Sequence, residues 1–218
     1  FNIRSGNTLV GFATLEDVKR AITRTATGQM RLLMPDEQAA LDRITEKAED
    51  VDRLFKLFRA QQTALGGNVT PEDKANLRTR LQVLDNELNR YLATQYNADI
   101  GGAGVYDKWL KSHQPFHWFV EFYGTLKSGG FDVIIGNPPY VEYSQVKQDY
   151  KIIGYRTESC GNLYAFMSER SLGLLSINGL FGMIVPVASV CTDGYLPLQT
   201  LLRDTGDLII SNFNDRPS

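Results

Sequence analysis

Cysteine is scarce in this chain, with two residues, Cys160 and Cys191, among 218. They are too few for a disulfide framework and too far apart for a CxxC metal site. A reducing compartment is therefore expected, with both residues as ordinary buried packing. Histidine is equally sparse: His113 and His117 lie four apart and could share a helix face, but no carboxylate stands at metal-ligand spacing. They read as packing or capping residues, and no metal is expected. Net positive charge is missing too, because the formal charge is -2 and the pI near 5.8. That gives no basic footprint of the sort that a self-sufficient DNA-binding surface usually shows. No apolar run approaches the ~20 residues of a membrane span, and the N-terminus lacks the basic, apolar and small-residue order of a signal peptide. A cytoplasmic protein without membrane contact is expected. An initiating Met is also absent, and the chain reads as an excerpt of a longer protein.

What is present falls into three segments, read as residues 1–13, 14–112 and 113–218. The first holds a strand over Phe1 to Arg4, a turn at Ser5-Gly6-Asn7 and the apolar run Leu9-Val10-Gly11-Phe12. In the second, Leu41, Ile44, Ala48, Val51, Phe55 and Phe58 recur at three-and-four spacing, which predicts an amphipathic helix over about 36–62. Gly66-Gly67-Asn68 breaks it. Thr70-Pro71-Glu72-Asp73 then offers a cap, a first-turn proline and two acids suited to the helix dipole. A second helix over about 71–97, with the stripe Leu77, Leu81, Leu84, Leu88 and Tyr91, should fold back on the first as an antiparallel hairpin. Its charged outer faces read as solvated surface.

The third segment opens on the aromatics Phe116, Trp118, Phe119, Phe122 and Tyr123. After Gly129-Gly130, Phe131 to Gly136 reads as a buried strand, Asn162 to Leu175 as a helix stopped by Asn178-Gly179, and Leu180 to Val185 as a strand ended by Pro186. Leu196 to Arg203 suits a helix and Leu208-Ile209-Ile210 a third strand. Alternation at this pitch predicts a parallel α/β sheet, with ligands beyond the carboxyl ends of its strands.

Asn137-Pro138-Pro139-Tyr140 follows the first of these strands and so falls where a site is expected. A ring amine is a poor nucleophile because its lone pair is delocalised into the ring. Two acceptors on its N–H groups would draw the nitrogen towards a tetrahedral, nucleophilic state. The Asn137 side-chain carbonyl can be one. Two prolines stiffen the turn, so the Pro138 carbonyl can be the second, while Tyr140 offers a ring on which a planar base stacks. A proline-rich turn that merely ends a strand is the plain alternative.

Phe131-Asp132-Val133-Ile134-Ile135-Gly136-Asn137-Pro138-Pro139-Tyr140 resembles the catalytic motif of amino-methyltransferases, particularly the N6-adenine DNA methyltransferases of restriction-modification systems. Gly161 to Arg170, Leu174-Leu175 and Gly179 to Pro186 resemble the helix and strand that follow it in that family. The resemblance implies a seven-stranded S-adenosylmethionine-dependent methyltransferase sheet, here with the helical hairpin inserted. The implied substrate is an adenine flipped out of double-stranded DNA. Asn137 and Pro138 would hold the adenine amino group, Tyr140 would stack on its ring, and Pro139 would set the loop. Phe166 or Met167 matches a residue that helps close the pocket near the cofactor; the core face of an amphipathic helix accounts for them as well. Asn7, in Gly6-Asn7-Thr8-Leu9, matches a strand end that more commonly carries Asp and contacts the cofactor's adenine; a simple turn accounts for it as well.

The glycine-rich loop that this family uses to hold the methionine moiety occurs nowhere in the chain. The resemblance therefore places the main cofactor loop upstream and a target-recognition domain downstream, with most DNA contacts outside these residues. The chain alone is then expected to be inactive and to self-associate. Cytosine C5 methylation would need a cysteine, commonly one that follows a proline, whereas Cys160 follows Ser159 and Cys191 follows Val190. Protein glutamine and RNA guanine amino-methyltransferases share the four-residue motif and remain an alternative, but they are compact where this chain carries its long hairpin. A non-catalytic interaction module is the other alternative, against which the intact motif argues.

Overall fold

The computed structural model describes residues 4–23, 32–63, 70–98 and 104–213. The helix break at Gly66 to Asn68, the glycines at 101 and 102, and all but Arg4 of the first expected strand lie outside the described residues. The chain divides into two compact units, Phe1–Ser128 and Gly129–Ser218.

The first unit is helical: α1 (Leu15–Thr23), α2 (Pro35–Thr63), α3 (Pro71–Gln95), α4 (Val105–His113), α5 (Trp118–Glu121) and α6 (Tyr123–Lys127). The start of α3 follows from its sequence. Thr70 Oγ1 accepts from the Asp73 N–H at 3.1 Å and an Asp73 carboxylate oxygen accepts from the Thr70 N–H at 3.0 Å, a reciprocal box ahead of Pro71. Along the pair, Ala40, Leu41, Ile44, Ala48 and Val51 of α2 and Leu77, Leu81, Leu84, Leu88 and Leu92 of α3 are buried. Each buried leucine contributes about 1.5–3 kcal/mol of transfer free energy. Lys47 meets Glu87 at 2.5 Å and Asp50 meets Arg80 at 3.8 Å. Advancing along α2 means retreating along α3, so the two run antiparallel. Tyr91 is only half-buried, and Leu92 takes the inward position of that turn.

Leu9, Val10 and Phe12 are buried in a loop braced by 114–119. The Asn7 N–H donates to Gln114 O at 2.8 Å, the Phe116 N–H to Val10 O at 2.7 Å and the Phe119 N–H to Phe12 O at 3.2 Å. Gly11 has φ +139°, and a Cβ there would stand 2.1 Å from Phe116 O, so only glycine allows this approach. His117 is fully buried. Its Nδ1 accepts from the Phe12 N–H at 3.1 Å and its Nε2 lies 3.0 Å from Asn89 Oδ1, which fixes the Nε2–H tautomer and joins loop to α3. His113 stacks on Trp109 and bonds Trp109 O and Ser112. Both histidines thus have packing and hydrogen-bonding duties.

The second unit contains β1 (Phe131–Gly136), α7 (Tyr143–Val146), a 3-10 turn at Arg156–Cys160, α8 (Leu163–Leu174), β2 (Leu175–Met183), α9 (Ala188–Cys191), a 3-10 turn at Asp193–Tyr195 and α10 (Leu196–Thr205). β1 and β2 pair in parallel with α8 as the crossover between them, and they are the two strands of the one sheet found among the described residues. Phe131 pairs with Leu175 and Val133 with Leu180, so residues 176–179 of β2 bulge out opposite the single residue Asp132. Asn178-Gly179 therefore lies within this bulge, and the helix ends earlier, at Leu174. Gly130, at φ +112°, makes the tight start of β1 possible, because a Cβ would meet Leu174 O at 2.7 Å. α8 buries Leu163, Tyr164, Ala165, Phe166 and Leu174, and α10 adds Leu198 against Cys160, Tyr164 and Ala165.

Three expectations are corrected. β1 is a strand but not a buried one: Val133 is 55% and Ile135 79% exposed, and Leu180 on β2 is 69% exposed. An apolar run reports what a strand is built to bury, while burial depends on what covers it. Leu208-Ile209-Ile210 forms no strand and is exposed, since strand-forming side chains need a ladder partner. Cys191 is exposed rather than packed, unlike Cys160.

Candidate active site

Asn137-Pro138-Pro139-Tyr140 leaves the carboxyl end of β1 directly. Pro138 is buried, while Asn137, Pro139 and Tyr140 face solvent. The loop is closed by the residue that follows β2. The Ile184 N–H donates to Gly136 O at 3.1 Å, and Ile184 O lies 2.9 Å from the Tyr140 hydroxyl. One residue at the end of the neighbouring strand thus ties the residue before the motif and the last residue of it. The Tyr140 hydroxyl also lies 2.9 Å from Asn137 Oδ1.

Downstream, the loop is fastened to the start of α8. The Tyr143 N–H donates to Gly161 O at 2.8 Å and the Leu163 N–H to Val141 O at 2.9 Å. Between these bonds the Asn162 side chain does two jobs: it caps α8 through the Tyr164 N–H and donates to Glu142 Oε1 at 3.1 Å. Behind the loop, the Tyr140 ring stands perpendicular to that of Tyr164, which stacks on Tyr195 at 5.3 Å. Tyr164 is 1% exposed. Burial first, and then the neighbouring Tyr195, push its hydroxyl pKa far up, so the ring remains a neutral wall. A half-exposed aromatic ring, an outward amide and a rigid proline turn, held by two backbone clasps, can receive a planar group bearing an amine.

Phe166 is fully buried, with Tyr143 and Tyr155 against it edge-on at 5.3 Å each, and Met167 is half-buried on the same helix. Asn7 lies in the first unit, where its Oδ1 accepts from the Leu9 N–H at 3.2 Å in a local turn. The parts played here by Ile184, Glu142, Asn162 and Tyr164 are not foreseen from the sequence. Ile184 acts through its backbone and leaves no residue-type signal. Asn162 does carry one, as an N-cap residue immediately before an apolar helix.

Residues 32–216 match the sequence model of the Eco57I restriction-modification methylase family. The chain belongs to that family. The match takes in the helical hairpin as well as the motif loop, so both are parts of the methylase region. The chain is 36% identical over 73 residues to the "Putative type II restriction enzyme and methyltransferase RM.MjaORFECS2P" of Methanocaldococcus jannaschii, an alignment spanning 34% of this chain and 6% of that protein. It is 32% identical over 80 residues to the "Type II methyltransferase M.CvrRI" of Paramecium bursaria Chlorella virus XZ-6E, spanning 36% of this chain and 20% of that relative. The chain thus matches only a small part of the length of either curated methyltransferase. No solved structure matches it.

Proposed function

We propose that the protein to which this chain contributes transfers a methyl group from S-adenosylmethionine to the N6 amino group of an adenine flipped out of double-stranded DNA, as part of a restriction-modification system. The observation that carries this reading is the placement of Asn137-Pro138-Pro139-Tyr140 at a parallel strand's carboxyl end, with the amide and ring open to solvent and the turn clasped by Ile184. Asn137 Oδ1 and the Pro138 carbonyl accept the two N–H bonds of the target amine, Tyr140 stacks on the base, and Pro139 fixes the turn between them. Membership of the methylase family supports the same chemistry.

The cofactor supplies an already electrophilic methyl, so positioning provides most of the rate. The residues assigned to it here are few. Phe166 has no free surface and Asn7 Oδ1 is engaged with Leu9, which suits supporting roles and not a complete cradle. In this reading the main contacts come from a glycine-rich loop not among these 218 residues. The seven-stranded sheet belongs to the same proposal: a parallel pair with apolar residues on both faces is what the interior of a larger parallel sheet requires. The test is to incubate the whole protein with duplex DNA and labelled cofactor, digest the DNA to nucleosides and identify the labelled one. N6-methyladenine is expected. Label on the cytosine amine would overturn the adenine assignment, and label in protein alone would shift the reading to glutamine.

A further inference from the structure

The Tyr140 hydroxyl carries one proton and has two acceptor oxygens at the same distance, Asn137 Oδ1 and Ile184 O, each 2.9 Å away. One proton cannot satisfy both. If it goes to Asn137, the Ile184 carbonyl is left facing an oxygen lone pair. If it goes to Ile184, the Tyr140 oxygen becomes an acceptor, and a half-turn of the Asn137 amide brings an Nδ2–H to meet it. The second arrangement gives the Ile184 carbonyl and the Tyr140 oxygen a partner each, and it turns Asn137 Oδ1 away from Tyr140 on a residue that is exposed. Tyr140 is held in place for this task, with its ring against Tyr164 and its hydroxyl against the backbone at the end of β2.

Resting on the proposed amino-methyltransferase reading, we infer that the Tyr140 hydroxyl is a positioning group for Asn137. Its bond to the Ile184 carbonyl selects the amide orientation that presents an oxygen, and not an NH2 edge, to the target amine. Tyr140 then has two separable jobs, in which the ring binds the base and the hydroxyl sets its neighbour's acceptor. An acceptor on the amine accelerates transfer, whereas an NH2 edge there would oppose it. Losing the hydroxyl should lower turnover and leave base binding in place.

The experiment compares Tyr140→Phe in two backgrounds of the whole protein, native Asn137 and Asn137→Asp. A carboxylate presents oxygen whichever way it turns, so its orientation needs no selection. With Asn137 present, Tyr140→Phe should lower kcat about tenfold, the scale of one lost hydrogen bond. Binding to duplexes carrying 2-aminopurine at the target should be unchanged. In the Asn137→Asp background, the same change should cost less than about twofold on that scale. Wild-type kcat for Tyr140→Phe beside Asn137 overturns the inference. So does an equal loss in both backgrounds, which would assign the hydroxyl only to holding Ile184. If Asn137→Asp is itself inactive, the split between kcat and 2-aminopurine binding in the single variant decides, and loss of both together overturns the proposal. Full turnover by Asn137→Ala would instead remove the amino-methyltransferase reading on which all of this rests.

Discussion

Asn137 and Tyr140 share the edge of one strand but should fail differently when altered. In the proposed reading Asn137 meets the reacting amine, and its exposed side chain supports nothing in the core. Asn137→Ala in the whole protein is expected to reduce methyl transfer about 100-fold or more, the scale of removing one preorganised polar contact at a reacting centre. Cofactor affinity should stay near its native value. A tritiated-methyl assay paired with calorimetry checks both, and unchanged turnover would contradict the assignment. Tyr140 is 49% exposed, enough free surface for a base to cover. Tyr140→Ala should weaken binding of the flipped base by about 1–3 kcal/mol, while Tyr140→Phe keeps the stacking surface and should lose little binding. Equal losses by 2-aminopurine fluorescence would show that the ring is not a stacking platform.

Among the elements, those specified by local chemistry are legible in the sequence. The Thr70 cap, the proline after it and the leucine stripe place α3 within a residue or two of its observed bounds, and the apolar run before Asn137 places β1. What fails depends on neighbours. The composition of Leu208-Ile209-Ile210 suits a strand, but no ladder receives it. The bulge at residues 176–179 arises from register between strands, and neither strand encodes it alone. The Ile184 clasp is likewise invisible to residue type. A further consequence of packing is Asp85, on α3, whose carboxyl is pushed up to about 7, first by burial and then by Glu121, with Arg4 opposing. Arg4 and Glu121 form an ion pair at 2.9 Å beside it. For an acid whose pKa rises on folding, the folded state holds the proton longer. Its contribution is full below the unfolded value near 3.8 and is lost as pH rises towards 7. Asp85→Asn should remove that fall, raising stability at about pH 8 relative to the native chain by up to about 4 kcal/mol. Urea melts of the helical unit across pH test this, and parallel stability curves for both proteins would refute it.

For the whole molecule, the decisive observation is apolar surface in the second unit that nothing among the described residues covers. Val133, Ile135, Leu180, Ile184 and Val187 are each more than half exposed, and Ile177, in the β2 bulge, is 99% exposed. These lie on or just beyond two parallel strands, and parallel sheets occur with both faces covered. Open edges and exposed apolar faces together favour association. Residues 1 to 218 alone are therefore expected to self-associate at micromolar concentration in sedimentation experiments. Replacing Ile135 and Leu180 by Ser should weaken that association, because it removes apolar area from adjoining strands without touching the buried side of α8. The same chain should bind S-adenosylmethionine only weakly by calorimetry, since Asn7, Phe166 and Met167 do not by themselves make a cradle for it. Tight binding of S-adenosylmethionine would mean that the cofactor contacts lie within these residues after all. A monomer at every concentration tried would mean that the strand faces are covered within the chain itself.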